Sequence, residues 1–266
     1  MKIIIAKGGI GNQIFQYLFF LHLKQNNQHV HFVLDKRIVN DHNGWEMERW
    51  FQIPSVQPSL LLDSFVFILK CLCKLKVIKK VEDSTFKENG LFYDGYWQDK
   101  QFFMDQYKSL KIKNLKLNRQ NLHCVNSICN TNSVSIHIRR GDYINEKFAP
   151  IYGSICTKDY YTKAIDIIEK KVNHPHYFIF SDDIDWVKAN LSIDNADYVD
   201  WNKGSDSFYD LFLMSKCKHH IIANSSFSFW GCMLANQENQ INIYPSKWYN
   251  SKFEAPNIFP NSWIGI

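Results

Sequence analysis

Apolar positions along the chain change spacing from two residues to three or four and back. Residues 2–6 (KIIIA) are a β-branched run that stops at glycines, and 29–34 (HVHFVL) alternate with period two before Asp35. Between them Ile14, Phe15, Leu18, Phe19, Leu21 and Leu23 give 12–25 a helical density of apolar residues. The opening therefore reads strand, glycine-rich turn, helix, strand, which is a βαβ unit. Farther along, strands are predicted over 133–138, 176–180, 197–200, 218–223 and 240–245. Helices are predicted over 158–172, 185–190, 206–216 and 226–236. Strands alternating with helices in both halves imply an α/β fold of parallel sheets covered by helices. The lysine- and asparagine-rich stretch 110–133 has no clear period and marks a boundary between domains 1–130 and 131–266. The tail carries Pro245, Pro256, Pro260, Trp248 and Trp263, and is expected to wrap over the surface, with a return to the first domain as one route.

Residues 60–80 (LLLDSFVFILKCLCKLKVIKK) are apolar, then basic. They read as a helix packed on its own domain with a solvated lysine face; the alternative is a helix lying on an anionic membrane surface. No stretch of 18 apolar residues occurs, so no spanning helix is expected. The first 24 residues mix apolar runs with polar residues and three glycines and lack a small-residue cleavage site, so a signal peptide is not expected and the location is read as cytoplasmic.

Composition narrows the classes. The 266 residues are 45% hydrophobic and 21% charged, which is globular rather than disordered. The net charge of +5 is mild: it would suit an anionic ligand or membrane, equally a lysine-rich surface with no partner, and is too small to point to nucleic acid. Seven cysteines without framework spacing read as reduced thiols.

Three stretches sit where strands run into helices, the positions at which open α/β sheets bind ligands. The first is Lys7-Gly8-Gly9-Ile10-Gly11-Asn12-Gln13. It resembles a dinucleotide loop with Asp35 closing the next strand, but Ile14 occupies the third glycine position and disfavours NAD. The second is His137-Ile138-Arg139-Arg140-Gly141-Asp142-Tyr143. Its two arginines offer planar forks suited to a diphosphate, and the competing reading is an internal ion pair with a carboxylate such as Asp142. An adhesion role for Arg140-Gly141-Asp142 fails, because the tripeptide abuts a buried strand. The third is Asn224-Ser225-Ser226-Phe227, which serves either as a plain helix cap or as a phosphate cradle. Asp183-Ile184-Asp185 has the form of a metal-binding D-x-D, with Asp185 read instead as a helix cap. His174-Pro175-His176 and His219-His220 lack a third ligand at metal-site spacing, so no metal is expected.

Taken together, KGGIGNQIFQY (7–17), HIRRGDY (137–143), FSDD (180–183) and DLFLMSKCKHHIIANSSFSFW (210–230) resemble the α-1,2-fucosyltransferases of glycosyltransferase family 11, in the same order along the chain. The resemblance implies a GT-B-like fold of two facing Rossmann-like domains with the active site in the cleft between them. The acceptor lies on the first domain and the donor on the second. It implies inverting transfer of L-fucose from GDP-L-fucose to a galactose hydroxyl of a glycan, with no cofactor or metal. Arg139 and Arg140 would stabilise the departing diphosphate. Asp142 would act as base or orient an arginine. Ser225, Ser226 and Phe227, with Asn224, would flank phosphates and fucose, while His137, Ser181 and Asp182 would lie near the guanosine. Gly11, Asn12 and Gln13 would close the cleft from the first domain. The alternatives are another GDP-sugar such as GDP-mannose, a nucleotide-binding regulator, or a glycan-binding module suggested by the 15% aromatic content. An enzyme of this class would suit surface-polysaccharide assembly, with peripheral membrane contact.

Overall fold

Strand β1 (Lys2–Ala6) is buried along its whole length, and this dictates its central place. It pairs in parallel with β2 (Val30–Leu34) and β3 (Phe92–Tyr93), giving the order β2-β1-β3. The computed structural model describes residues 1–26, 29–34, 42–56, 60–235, 237–250 and 255–266. Asp35, expected to close β2, lies outside the described residues. Two compact units are present, Met1–Leu115 and Lys116–Ile266.

In the first unit, α1 (Ile10–Asn26) returns the chain from β1 to β2. A short α2 (Met47–Trp50) follows, then α3 (Leu60–Lys74). Val66 and Leu69 of α3 bury themselves against Ile3, Ile5, Val33 and Phe92. Much of the aromatic content is core here. Phe19 stacks on Trp97 at 4.0 Å and meets Tyr93 and Phe102 edge-on.

The second unit holds a parallel sheet ordered β6-β5-β4-β7-β8-β9. Its strands are β4 (Asn132–Ile138), β5 (Pro175–Ser181), β6 (Ala196–Val199), β7 (His219–Ile221), β8 (Asn242–Tyr244) and β9 (Ile264–Gly265). The helices are α4 (Arg119–Cys129), α5 (Ala149–Tyr152), α6 (Lys158–Lys171), α7 (Ile184–Asn190), α8 (Phe208–Met214) and α9 (Ser226–Met233). Alternation along β4 sends Val134, Ile136 and Ile138 against Tyr161, Ala164 and Ile168 of α6 and Val187 of α7. Phe178 and Phe180 of β5 face the other side, against Cys124 and Ile128 of α4 and Leu213 and Met214 of α8.

The second unit begins at Lys116, not at residue 131. Helix α4 lies inside the stretch read as aperiodic, because its buried stripe (Asn121, Cys124, Ile128) is one residue per turn and one of the three is polar. The tail adds β9 to the second unit's own sheet, pairing Ile264 with Ile243. The seven cysteines are unbridged.

Candidate functional site

In a parallel sheet every strand ends at the same edge, so the segments after β4, β5 and β7 gather there. Arg139 and Arg140 leave β4 and meet three carboxylates. Arg139 donates to Asp142 through Nε (3.0 Å) and Nη2 (2.7 Å), and its Nη1 reaches Asp182 at 2.9 Å. Asp182 also accepts the backbone N–H groups of Arg140 (2.9 Å) and Gly141 (3.1 Å). Arg140 donates Nε to Asp183 at 2.9 Å and lies over the Trp186 ring at 3.9 Å. Its two terminal amino groups have no partner among the described residues. A side chain on Gly141 would place its Cβ 2.5 Å from a carboxylate oxygen of Asp182, so only glycine lets the turn close on that carboxylate.

Both arginine side chains stay partly open, at 34% and 24% exposure. They line a pocket of about 260 Å³ together with Trp186, Asn224, Thr157 and Lys158. Thr157 caps α6, so the pocket also meets a helix N-terminus. Two guanidinium groups, an ammonium and that helix end suit an anion; Asp142, Asp182 and Asp183 fix the guanidinium planes beforehand.

Other expected site residues fall into two groups. His137, next to the end of β4, has its ring 5.7 Å from that of Phe227, and its Nδ1 is buried without a partner among the described residues. Burial, reinforced by the Arg139 charge and opposed by Asp182, lowers its pKa to about 4, so the ring is neutral at neutral pH. Ser225 caps α9, accepting the Phe227 N–H at 3.3 Å, while Ser226 and Phe227 at the helix start are half-buried. These residues gather at the same edge as the arginines.

The second group makes hydrogen bonds within the protein. Asn224 donates to the carbonyls of Tyr152 (3.2 Å) and Trp248 (3.1 Å). Ser181 accepts the Asp183 N–H at 3.0 Å. Asp182, expected near guanosine, holds the 139–141 turn. Asp183 rather than Asp185 caps α7, through the Trp186 N–H at 3.1 Å. In the first unit Gln13 is fully buried, donating to Gly8 O (2.9 Å) and Gly44 O (2.8 Å) and accepting the Glu46 N–H (2.9 Å). It staples the glycine loop and does not line a surface. Asn12 accepts from Gln98 at 3.0 Å, and Gly11 lies inside α1. Gly8, at φ +79°, makes the turn that glycine alone adopts freely.

Sequence reasoning passed over Trp186, Lys158 and the Asn121–Asn202–Asp210 network. Trp186 had a signal, an aromatic three residues past a capping aspartate. Asn121 and Asn202 exchange hydrogen bonds at 3.0 Å, and Asn202 donates to Asp210 at 2.8 Å. Burial raises the Asp210 carboxyl to about 7, against the pull of the Asn202 hydrogen bond. The histidine pairs have other work: His176 meets Asp197 at 2.9 Å and His220 meets Ser135 at 2.7 Å.

The sequence pattern described as Glycosyl transferase family 11 matches residues 73–266. An Escherichia coli alpha-1,2-colitosyltransferase is 32% identical over 295 residues, covering 100% of this chain and 99% of the relative. The E. coli O-antigen biosynthesis glycosyltransferase WbnK is 30% identical, covering 97% of this chain and 98% of its own. Among solved structures, the NodZ alpha-1,6-fucosyltransferase co-crystallised with GDP superposes with a TM-score of 0.52 at 12% identity, over 91% of this chain and 93% of NodZ. That likeness is one of fold, α/β and GT-B-like.

Proposed function

Taking as premise that the chain belongs to glycosyl transferase family 11, we propose that it transfers L-fucose from GDP-L-fucose to the 2-hydroxyl of a terminal galactose, with inversion at the anomeric carbon and without a metal. The arginine pair at the end of β4, with its planes fixed by Asp142, Asp182 and Asp183, carries this reading. As the sugar leaves, negative charge grows on the β-phosphate oxygen. Donors already fixed in place stabilise that charge without reorganising, which is where most of such a rate enhancement arises. The uncommitted amino groups of Arg140 face this task, and Arg139 is held by Asp142 and Asp182. Asp142, tied to Arg139 through two nitrogens, acts as the orienting carboxylate. Ser226 and Phe227 border the fucose and phosphates, and neutral His137 lies beside them. WbnK and NodZ, one named for O-antigen biosynthesis and the other seen with GDP, support a nucleotide donor and a surface-glycan acceptor.

A second reading changes only the donor sugar. The relative matched over the full length is a colitosyltransferase. Colitose is the 3-deoxy counterpart of L-fucose, so one hydroxyl contact separates the two donors.

The test incubates the protein with GDP-L-fucose, GDP-colitose or GDP-mannose and a panel of galactose-terminated glycans, with chelator present, and weighs the products. Gain of one fucose residue by a galactoside is expected. Transfer of colitose alone selects the second reading, and transfer that stops with chelator refutes the metal-independent step. Arg139→Ala and Arg140→Ala should each lower transfer by roughly 100–1,000-fold with little change in melting temperature. Wild-type turnover by either variant would overturn the phosphate role.

A further inference from the structure

The three most exposed large apolar side chains among the described residues fall within eleven positions of one another: Leu75 at 72%, Phe67 at 69% and Val77 at 66%, with Ile68 at 51% beside them. Helix α3 explains the cluster. Its inner stripe, Val66 and Leu69 with Leu62, Phe65 and Cys73 packed alongside, joins the core of the first unit. Phe67, Cys71 and Leu75 follow at i, i+4 and i+8, with Ile68 adjoining, so a second apolar stripe runs down the opposite side. A helix apolar on both sides belongs inside something, yet only one side of this one is covered by its own unit.

The helix end is basic. Lys74, Lys76 and Lys79 are exposed and make no ion pair among the described residues, whereas Lys80 is tied to Glu82 (2.6 Å) and Asp94 (3.5 Å). The chain turns here through paired bonds, Val77 N–H to Leu72 O (3.0 Å) and Lys76 N–H to Cys73 O (3.1 Å). That closure puts Lys76 at φ +59°, the position glycine usually fills. The result is an apolar ridge flanked by unpaired ammonium groups.

We propose that this ridge, Phe67, Ile68, Leu75 and Val77 with Lys74, Lys76 and Lys79, is a docking surface for an anionic lipid bilayer. Charge decides the occupant. A second copy seated by a two-fold axis would bring the same lysines against themselves, which is repulsive, while anionic headgroups complement them and the acyl boundary takes the apolar side chains. No helix of the described residues is long and apolar enough to cross a membrane, so the contact is peripheral. The surface lies apart from the arginine site in sequence and chemistry, and its test does not depend on the sugar transferred.

Co-sedimentation with vesicles of phosphatidylcholine alone, or mixed with phosphatidylglycerol, tests it. Binding to the mixed vesicles only, weakened by salt, is expected. The variants Phe67→Ser/Leu75→Ser and Lys74→Glu/Lys79→Glu should each lower the partition coefficient at least ~10-fold, with transfer to a soluble acceptor unchanged. Lys76→Gly relieves the left-handed backbone and removes one charge, so it should melt higher yet bind more weakly, a combination that misfolding cannot produce. The proposal is overturned if the protein ignores anionic vesicles, binds zwitterionic ones equally, or binds as well after either double substitution. It is overturned too if, without lipid, the protein forms a dimer that Phe67→Ser dissolves, since the ridge would then be a subunit interface.

Discussion

Gly141 shows how one residue sets the geometry of the arginine site. Its N–H and that of Arg140 point into Asp182, and the same carboxylate holds Arg139. A methyl group at Gly141 would occupy space 2.5 Å from that carboxylate. Gly141→Ala is therefore expected to push Asp182 out and loosen both arginines. Transfer should fall by about 10-fold or more, because even a small misplacement of charged groups is costly in rate. A melting curve should change little, since all the groups involved are partly exposed. Full activity in this variant would mean that the three-carboxylate arrangement does not position the arginines. The motif was legible in the sequence as paired arginines; that its glycine answers to a carboxylate 41 positions away was not.

At the scale of elements, the second sheet carries a polar line through its centre. Ser135 on β4 meets His220 on β7, and Gln240, just before β8, meets the other ring nitrogen at 3.1 Å. His220 is fully buried, and burial, with a smaller push from His219, lowers its pKa to about 3. Between about pH 3 and the ordinary histidine value of 6.5, the unfolded chain binds a proton that the folded chain refuses. Stability must then rise with pH across that window and fall as acid is added, by up to about 1.4 kcal/mol per pH unit. His220→Gln keeps hydrogen-bonding capacity without titrating, so its melting temperature should fall less steeply from pH 6 to pH 4. An identical slope in both proteins would show that His220 does not cause the acid sensitivity. The strands were foreseeable only in part. β3 and β9, each two residues long, carry too few positions to show any period.

For the whole molecule, the division at Leu115/Lys116 makes its own prediction. A fragment 116–266 should fold alone, with cooperative thermal unfolding, because its sheet and both flanking helix layers are complete. A fragment 131–266 should melt lower or fail to fold, since removing α4 uncovers Phe178 and Phe180, and burying each large apolar side chain contributes about 1.5–3 kcal/mol. Equal stability of the two fragments would return the boundary to residue 131. By itself the sequence determined the α/β class, most strands and helices, the family, and the three segments that meet the carboxyl edge of the sheets. Those properties rest on local periodicity and on contiguous motifs. Only the tertiary structure decided which candidates remain open to a ligand. Gln13 has the chemistry of a ligand-binding residue, but it is buried and its hydrogen bonds go to backbone groups brought near by folding. Trp186 enters the site because α7 starts beside β4, and the exposed stripe of α3 stays uncovered because one side of that helix fills its unit's core. Composition cannot tell a polar group that holds its own chain from one that waits for a substrate, because the difference lies in partners far away in sequence.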